Sequence, residues 1–483
     1  FFKNELMLEF LANKKIYYFL VFLLCIISRL ATSVNYIEDI DSLRFALSIY
    51  EYDLAKIQPH FPGYPVFCFI VKGIYFFTNS LSQSFSIIGG FSVFIIILYC
   101  SKIFSTTLNS SLGVFLSSII FFNPLIWLMS NRYMPDLFGL AIACMIICLL
   151  IRYDNSESSA YTGFFLSGLL IGIRLSYFPI VFFVLANSIF QKKFSIKYLV
   201  LCFVLGIVIW LMPLMYITGI DDLILIAKDH TVGHFYDYGG SIVTDGNLFL
   251  RFTKIFESIW SDGLGGYWQG RSLNTIIISF QIISLIIIGL REMIKNIRFE
   301  KSLLIILIST FIYIVWIYFS QNVIYKSRHI LPVLPFIFLI LNFGYEYLLS
   351  KNRRFARVSF VIFLLFLSQI TFKLTNQHMS ETAISKVKNY IEKSTGNKTI
   401  ISTPLVNFYL KSHKIEAEYI DATNEEKIDE LKSSIKSSRM FMIGNFHEAL
   451  DNIFIIDEDS TFYHNPYMNR AWASIETYNI QKK

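Results

Sequence analysis

Charge is what this chain has least of. Asp, Glu, Lys and Arg make up 16% of its 483 residues, against about a quarter in an ordinary soluble domain. Hydrophobic residues reach 54%, aromatics 17%, and the mean hydropathy is +0.54. That excludes a single soluble globule and indicates a polytopic membrane protein. Cysteine is nearly as uninformative: Cys25, Cys68, Cys100, Cys144, Cys148 and Cys202 all fall inside apolar runs, and the tail from residue 374 has none. A disulfide framework is not expected, and the six thiols read as small apolar packing residues. No internal repeat appears, and the spans are mostly Ile, Leu, Phe and Val. A transporter or flippase would show repeats and polar or Gly-Pro-interrupted spans at mid-membrane. The net charge of +7 is too small for this length to suggest nucleic acid, and none is expected as a partner.

What is there is a series of apolar runs, each near the roughly 20 residues a membrane-crossing helix needs. They lie near 16–32, 85–104, 111–130, 136–151, 160–174, 177–190, 197–217, 273–290, 301–319, 330–349 and 357–373. The first does not read as a cleaved signal peptide, because it ends in Ser28-Arg29-Leu30 and leads into an acidic loop. Lys and Arg gather at Lys14-Lys15, Lys102, Arg152, Lys192-Lys193 with Lys197, Arg291 to Lys301, and Lys351 to Arg357. The positive-inside rule makes these loops cytoplasmic. A twelfth run, 61–77, would invert every later loop if it crossed, so a helix dipping in from the outer side is expected there. The reading is therefore eleven to twelve hydrophobic helices over residues 1–373, with outer loops 33–60 and 218–272.

Residues 374–483 read as a small extracytoplasmic α/β domain. Strands are expected at Thr399–Ser402, Ala417–Ile420 and Met440–Ile443, with helices at Leu405–Leu410 and Asn424–Ile435. No phosphate-cradling glycine loop or nucleophile motif occurs in this tail, so a docking or stabilising role is expected of it.

The polar residues worth explaining crowd the loop after the first span. Glu38-Asp39-Ile40-Asp41 brings three carboxylates to the membrane edge, followed by Arg44, Asp53, Lys56 and the run Gln58-Pro59-His60-Phe61-Pro62-Gly63-Tyr64-Pro65. Ionisable groups beside lipid are expensive and mark functional sites. The same carboxylates could instead cap a helix running through Leu43 to Tyr50, although that leaves His60 and the Pro-Gly-Tyr-Pro run unaccounted for.

Asp-Ser followed by Phe-Ala-Leu, then Gln-Pro-His-x-Pro-Gly-Tyr-Pro at the start of an apolar helix, resembles the polytopic GT-C glycosyltransferases. The likeness is greatest to family 39-like and protein O-mannosyltransferase-like bacterial members. Gly172-Ile173-Arg174 with Pro179, and Ser327-Arg328-His329 with Pro332 and Pro335, extend it over most of the membrane region. The resemblance implies an inverting transfer of a sugar from a polyprenyl-phosphate carrier to a glycan, lipid or protein acceptor, on the outer face of a prokaryotic inner membrane. It places the base at Asp41, with Asp39 and Glu38 as rivals, and an arginine at Arg174.

The residue types fit that chemistry. An attacking hydroxyl needs a carboxylate within reach of its proton, and a departing phosphate needs cations and hydrogen-bond donors. His60, Arg132, Arg174, Arg328 and His329 are the candidates for the phosphate; snorkelling or interfacial anchoring is the plainer alternative for Arg174, Arg328 and His329. Tyr64, His230 and His234 are candidates for substrate contact. His230 and His234 could also hold a metal if helical, but Gly233 stands between them, and the expectation is no metal cofactor. A polymerase or ligase of lipid-linked glycans would use the same kind of site. A transporter or flippase, and an assembly factor, remain the alternatives from other classes.

Overall fold

The structure is a computed structural model that describes residues 14–237, 239–297, 300–424, 439–452, 454–467, 469–470 and 472–483. Tyr238, Arg298 and the helix expected at Asn424–Ile435, apart from Asn424 itself, lie outside the described residues. The chain forms two compact units. One holds the described residues up to Val34 together with Arg44–Asn376; the other holds Asn35–Leu43 together with Gln377–Lys483. The acidic segment thus belongs to the same unit as the tail.

The first unit is built of helices, as lipid demands: without water, each backbone N–H and C=O must be satisfied within its own segment. All eleven runs read from the sequence fall on helices. Among the described residues seven helical stretches are long and apolar enough to cross a membrane, or eight if one bent pair counts as a span. Lys14–Ala31, which carries Lys14, Lys15 and Arg29, and the 17-residue Asp136–Arg152 stand outside that count.

Two details show how the helices run. Glu157–Phe190 is an unbroken helical stretch of 34 residues with a 3-10 turn at Leu175–Tyr177. If straight it would be about 51 Å long. Yet Lys193, just past its end, pairs with Asp154 and donates to Asn155 Oδ1 at 2.9 Å, just before its start. The stretch therefore folds back at Arg174–Tyr177 into a helical hairpin. The run at 61–77 becomes Pro65–Thr78, 14 residues and about 21 Å, shorter than the hydrocarbon core of about 30 Å. Phe76 and Phe77 on it are exposed, and it is a short apolar helix outside the set long enough to cross.

Ser111–Phe121 and Pro124–Asn131 meet at a 55° bend. Pro124 cannot continue the first helix, and Asn123 caps the second by accepting from Ile126 N at 3.0 Å. The carbonyl freed at Phe121 accepts from Arg29 Nη2 at 2.9 Å, and that guanidinium lies 3.9 Å from the Trp127 ring centre. Arg29, fully buried, thus repairs the break. At one end of the unit Arg152 Nε donates to Ile103 O at 2.6 Å, near Lys102 and the Lys193–Asp154 pair.

The second unit contains a five-stranded sheet of order β2-β1-β3-β5-β4. The strands are β1 Lys398–Ser402, β2 Glu418–Asp421, β3 Arg439–Ile443, β4 Phe454–Tyr463 and β5 Ser474–Lys482. β1 pairs in parallel with β2 and β3, and β5 runs antiparallel to both β3 and β4. Ile401, Met440, Met442, Leu450, Phe454 and Ile480 form its core. The first three strands and the helix Pro404–Ser412 match the sequence reading. β4 and β5 escape it because Asp457-Glu458-Asp459 and Glu476 interrupt the apolar pattern.

Candidate functional site

In the first unit, the run from Gln58 to Pro65 is folded into a tight turn. Tyr52 donates its hydroxyl to Gly63 O at 2.9 Å, and burial raises the Tyr52 pKa, so it stays a donor. Gly63 has φ +87°, and a Cβ there would lie 2.6 Å from the Tyr52 hydroxyl, so only glycine fits. Tyr64 follows with φ 48°, and Pro65 begins the next helix. The result is a tyrosine hydroxyl held 3.1 Å from His60 Nε2 and 3.2 Å from Arg174 Nη1.

Arg174 ends the helix Glu157–Arg174, at the apex of the hairpin. Its Nη2 lies 2.9 Å from Asp136 Oδ1, and the Arg328 Nε lies 3.7 Å from the same oxygen. Tyr177 offers its hydroxyl to that oxygen at 3.5 Å. Asp136 opens the helix Asp136–Arg152. One turn further, a Cβ on Gly139 would lie 2.8 Å from Arg174 Cβ, so the missing side chain lets the arginine approach. Asp136, Arg174 and Arg328 are all buried, and the three together sum to one positive charge. Asp136 Oδ2 has no hydrogen-bond partner.

The other expected residues extend or leave this cluster. His60 stacks on His230 with ring centres 5.6 Å apart, and Phe45 packs edge-on against both His60 and Tyr64. His230 and His234 share the helix Ile220–Tyr236, despite Gly233, but they serve different partners. His234 Nε2 lies 2.8 Å from Ser320 O. Among the described residues no group of three or more His, Cys, Asp or Glu side chains is placed to hold a metal ion. His329 is buried; its carbonyl accepts from Tyr313 at 2.9 Å, and its Nδ1 has no hydrogen-bond partner. Arg132 is buried with Nη1 4.0 Å from Met129 Sδ, between Asn131, which donates to Thr32 O, and Tyr133, which donates to Val34 O.

The carboxylates Glu38, Asp39 and Asp41 are all buried in the second unit, where they divide their roles. Glu38 Oε1 lies 2.6 Å from His378 Nε2. Asp39 caps the helix Ile40–Tyr50: its Oδ1 accepts from Ser42 N at 2.8 Å, and its Oδ2 accepts from Asn469 Nδ2 at 3.1 Å. The helix cap anticipated from the sequence is therefore Asp39. Asp41 stands in the first turn of that helix.

Sequence reasoning passed over Asp136 and Tyr177. Asp136 carried a usable signal, a carboxylate at the head of an apolar run, whereas Tyr177 offered none among so many aromatics.

No family model matches the sequence, and no curated protein matches it. Solved structures do. ArnT from Cupriavidus metallidurans bound to undecaprenyl phosphate superposes with a TM-score of 0.56 at 9% identity, covering 96% of this chain and 97% of that one. The apo form of ArnT from the same organism gives 0.56 at 11% identity with the same coverage. Over nearly its whole length, this chain shares the fold of ArnT.

Proposed function

We propose that this protein is an integral membrane glycosyltransferase that moves a sugar from a polyprenyl-phosphate carrier to an acceptor hydroxyl on the extracytoplasmic face. The observation that carries the reading is the buried set Arg174–Asp136–Arg328 with Tyr64 and His60 beside it, in a fold shared with a protein solved bound to undecaprenyl phosphate. Two guanidinium groups held in low dielectric by one carboxylate suit a phosphate, which Arg binds through paired N–H donors.

In the proposed reaction the acceptor hydroxyl gives its proton to the Asp41 carboxylate as its oxygen attacks the anomeric carbon. The bond from that carbon to the phosphate oxygen breaks, the polyprenyl phosphate leaves with the electron pair, and the configuration inverts. Arg174 and Arg328 hold the phosphate, with His60 as a donor. Asp41 is taken as the base because it holds the position of that carboxylate in the GT-C pattern the sequence resembles, in the first turn of the helix Ile40–Tyr50.

The test is transfer by purified protein in nanodiscs from a panel of undecaprenyl-phosphate-linked hexoses and pentoses, each labelled in the sugar. Asp41→Asn should cost at least about 100-fold in kcat, the usual worth of a positioned base, while melting as the wild type does. Full transfer by both Asp41→Asn and Asp39→Asn would sink the assignment. Movement of lipid between leaflets without any transfer would make the protein a flippase instead.

A further inference from the structure

Asn35–Leu43 and the tail form one unit although Glu38 and His378 are 340 positions apart. Four consecutive residues of the segment are gripped by the tail. Tyr36 donates its hydroxyl to His378 O at 2.7 Å. The Ile37 carbonyl accepts from the Tyr409 hydroxyl at 2.5 Å. Glu38 pairs through its carboxylate with His378, and its carbonyl accepts from Thr382 Oγ1 at 3.0 Å. Asp39 takes the Asn469 amide. His378, Thr382, Tyr409 and Asn469 are buried and come from three separate parts of the tail. Burial, then Asp39 nearby, raises the Tyr409 pKa, which keeps that hydroxyl protonated as a donor. A second layer braces the first: His464 Nε2 lies 2.7 Å from Asn469 O, and its Nδ1 accepts from Ala383 N at 3.2 Å.

A domain that only covered the loop would meet it with apolar surface. This one meets it with a dedicated polar partner at each step. Fixing a residue's backbone carries an entropic cost that a single hydrogen bond offsets only in part, so a segment with fewer such partners would wander. Because the Asp39 carboxylate sets where the helix Ile40–Tyr50 begins, it also sets the direction in which Asp41 leaves the first turn two residues later.

We propose that the tail is a positioning domain: His378, Thr382, Tyr409 and Asn469 fix the backbone of residues 36–39 so that Asp41 is presented in one orientation. This rests on the reading of Asp41 as the base of a transferase. The four are positioning residues, acting through Asp39 and the helix start.

The test uses the full chain in nanodiscs with Asn469→Ala, Tyr409→Phe and the amide-retaining Asn469→Gln. With the panel donor that the wild type turns over, Asn469→Ala and Tyr409→Phe should lower kcat 10- to 100-fold, the scale of a misplacement near 1 Å. KM for the donor should stay within about twofold, and Asn469→Gln should recover part of the loss. Hydrogen exchange on the same proteins should show the amides of 36–43 exchanging at least about tenfold faster, with those of β1 and β3 unchanged. Unchanged kcat, unchanged exchange in 36–43, or loosening of the sheet together with the segment would each overturn the proposal. Wild-type protein that transfers nothing from any donor defeats the transferase reading itself, and the exchange pattern then decides the grip alone.

Discussion

Asp136 is the residue on which the first unit's polar cluster turns. It lies at the head of an apolar helix, buried, with Arg174 at 2.9 Å and Arg328 at 3.7 Å. Removing one partner from a buried ion pair costs about 3–5 kcal/mol, because the charge left behind has lost its water and its counterion. Asp136→Asn keeps the shape and removes the charge, so it should lower the thermal midpoint of the detergent-solubilised protein by several degrees. Added polyprenyl phosphate should restore part of that loss, since an anion at the guanidiniums substitutes for the missing carboxylate. A melting curve that does not move would mean the arginines are neutralised elsewhere. At this scale the sequence was legible where a residue type is costly in its setting: Arg174, Arg328 and His60 stood out against apolar neighbours. It was opaque where partners come from distant segments. That Asp39 is a cap bonded to Asn469 depends on a residue 430 positions away.

At the scale of elements, several helices of the first unit meet closely at glycines. In lipid no hydrophobic force draws helices together, so close backbone approach and van der Waals contact do the joining. The helices Glu157–Arg174 and Ile196–Thr218 meet at a reciprocal pair: a Cβ on Gly168 would lie 2.2 Å from Phe203 O, and one on Gly206 would lie 2.2 Å from Phe165 O. Gly289 and Gly344 do the same for the helices Asn274–Ile297 and Leu334–Lys351, at 1.9 Å from Ile340 O and 2.3 Å from Leu285 O. Gly168→Ala should therefore destabilise by about 1–3 kcal/mol, the usual cost of overpacking. Gly73→Ala is the control: that glycine lies inside the helix Pro65–Thr78 with nothing within 4 Å of its Cβ position, and alanine favours a helix by about 1 kcal/mol. Thermal unfolding of the two variants side by side should move in opposite directions; equal shifts would refute the packing argument. Apolar periodicity located the helices, but it carries no record of which glycines touch. It likewise gave the parallel strands β1 to β3 and hid β4 and β5, whose apolar pattern is interrupted by acidic residues.

At the scale of the whole molecule, the two ends of the first unit differ in the charge they gather. The fold-back at Arg174–Tyr177 and the short helix Pro65–Thr78 supply internal geometry for the first unit. Ile103, Arg152, Asp154 and Lys193 gather at one end, while Tyr64, Asp136, Arg174 and Arg328 gather where the hairpin turns. Lys and Arg dominate the first of these ends, which the positive-inside rule assigns to the cytoplasm. Donors carried on a polyprenyl phosphate at the other end would then be met from outside. Single cysteines in a Cys202→Ala background can decide this, because the other five native thiols are buried. Lys193→Cys marks the cation-rich end, and Tyr325→Cys, an exposed position three residues before Arg328, marks the opposite one. In right-side-out membrane vesicles a membrane-impermeant maleimide should label Tyr325→Cys and spare Lys193→Cys, and in inverted vesicles the pattern should reverse. Labelling of Lys193→Cys from outside would put the arginine cluster in the cytoplasm, where the donor would have to be presented from the inner leaflet.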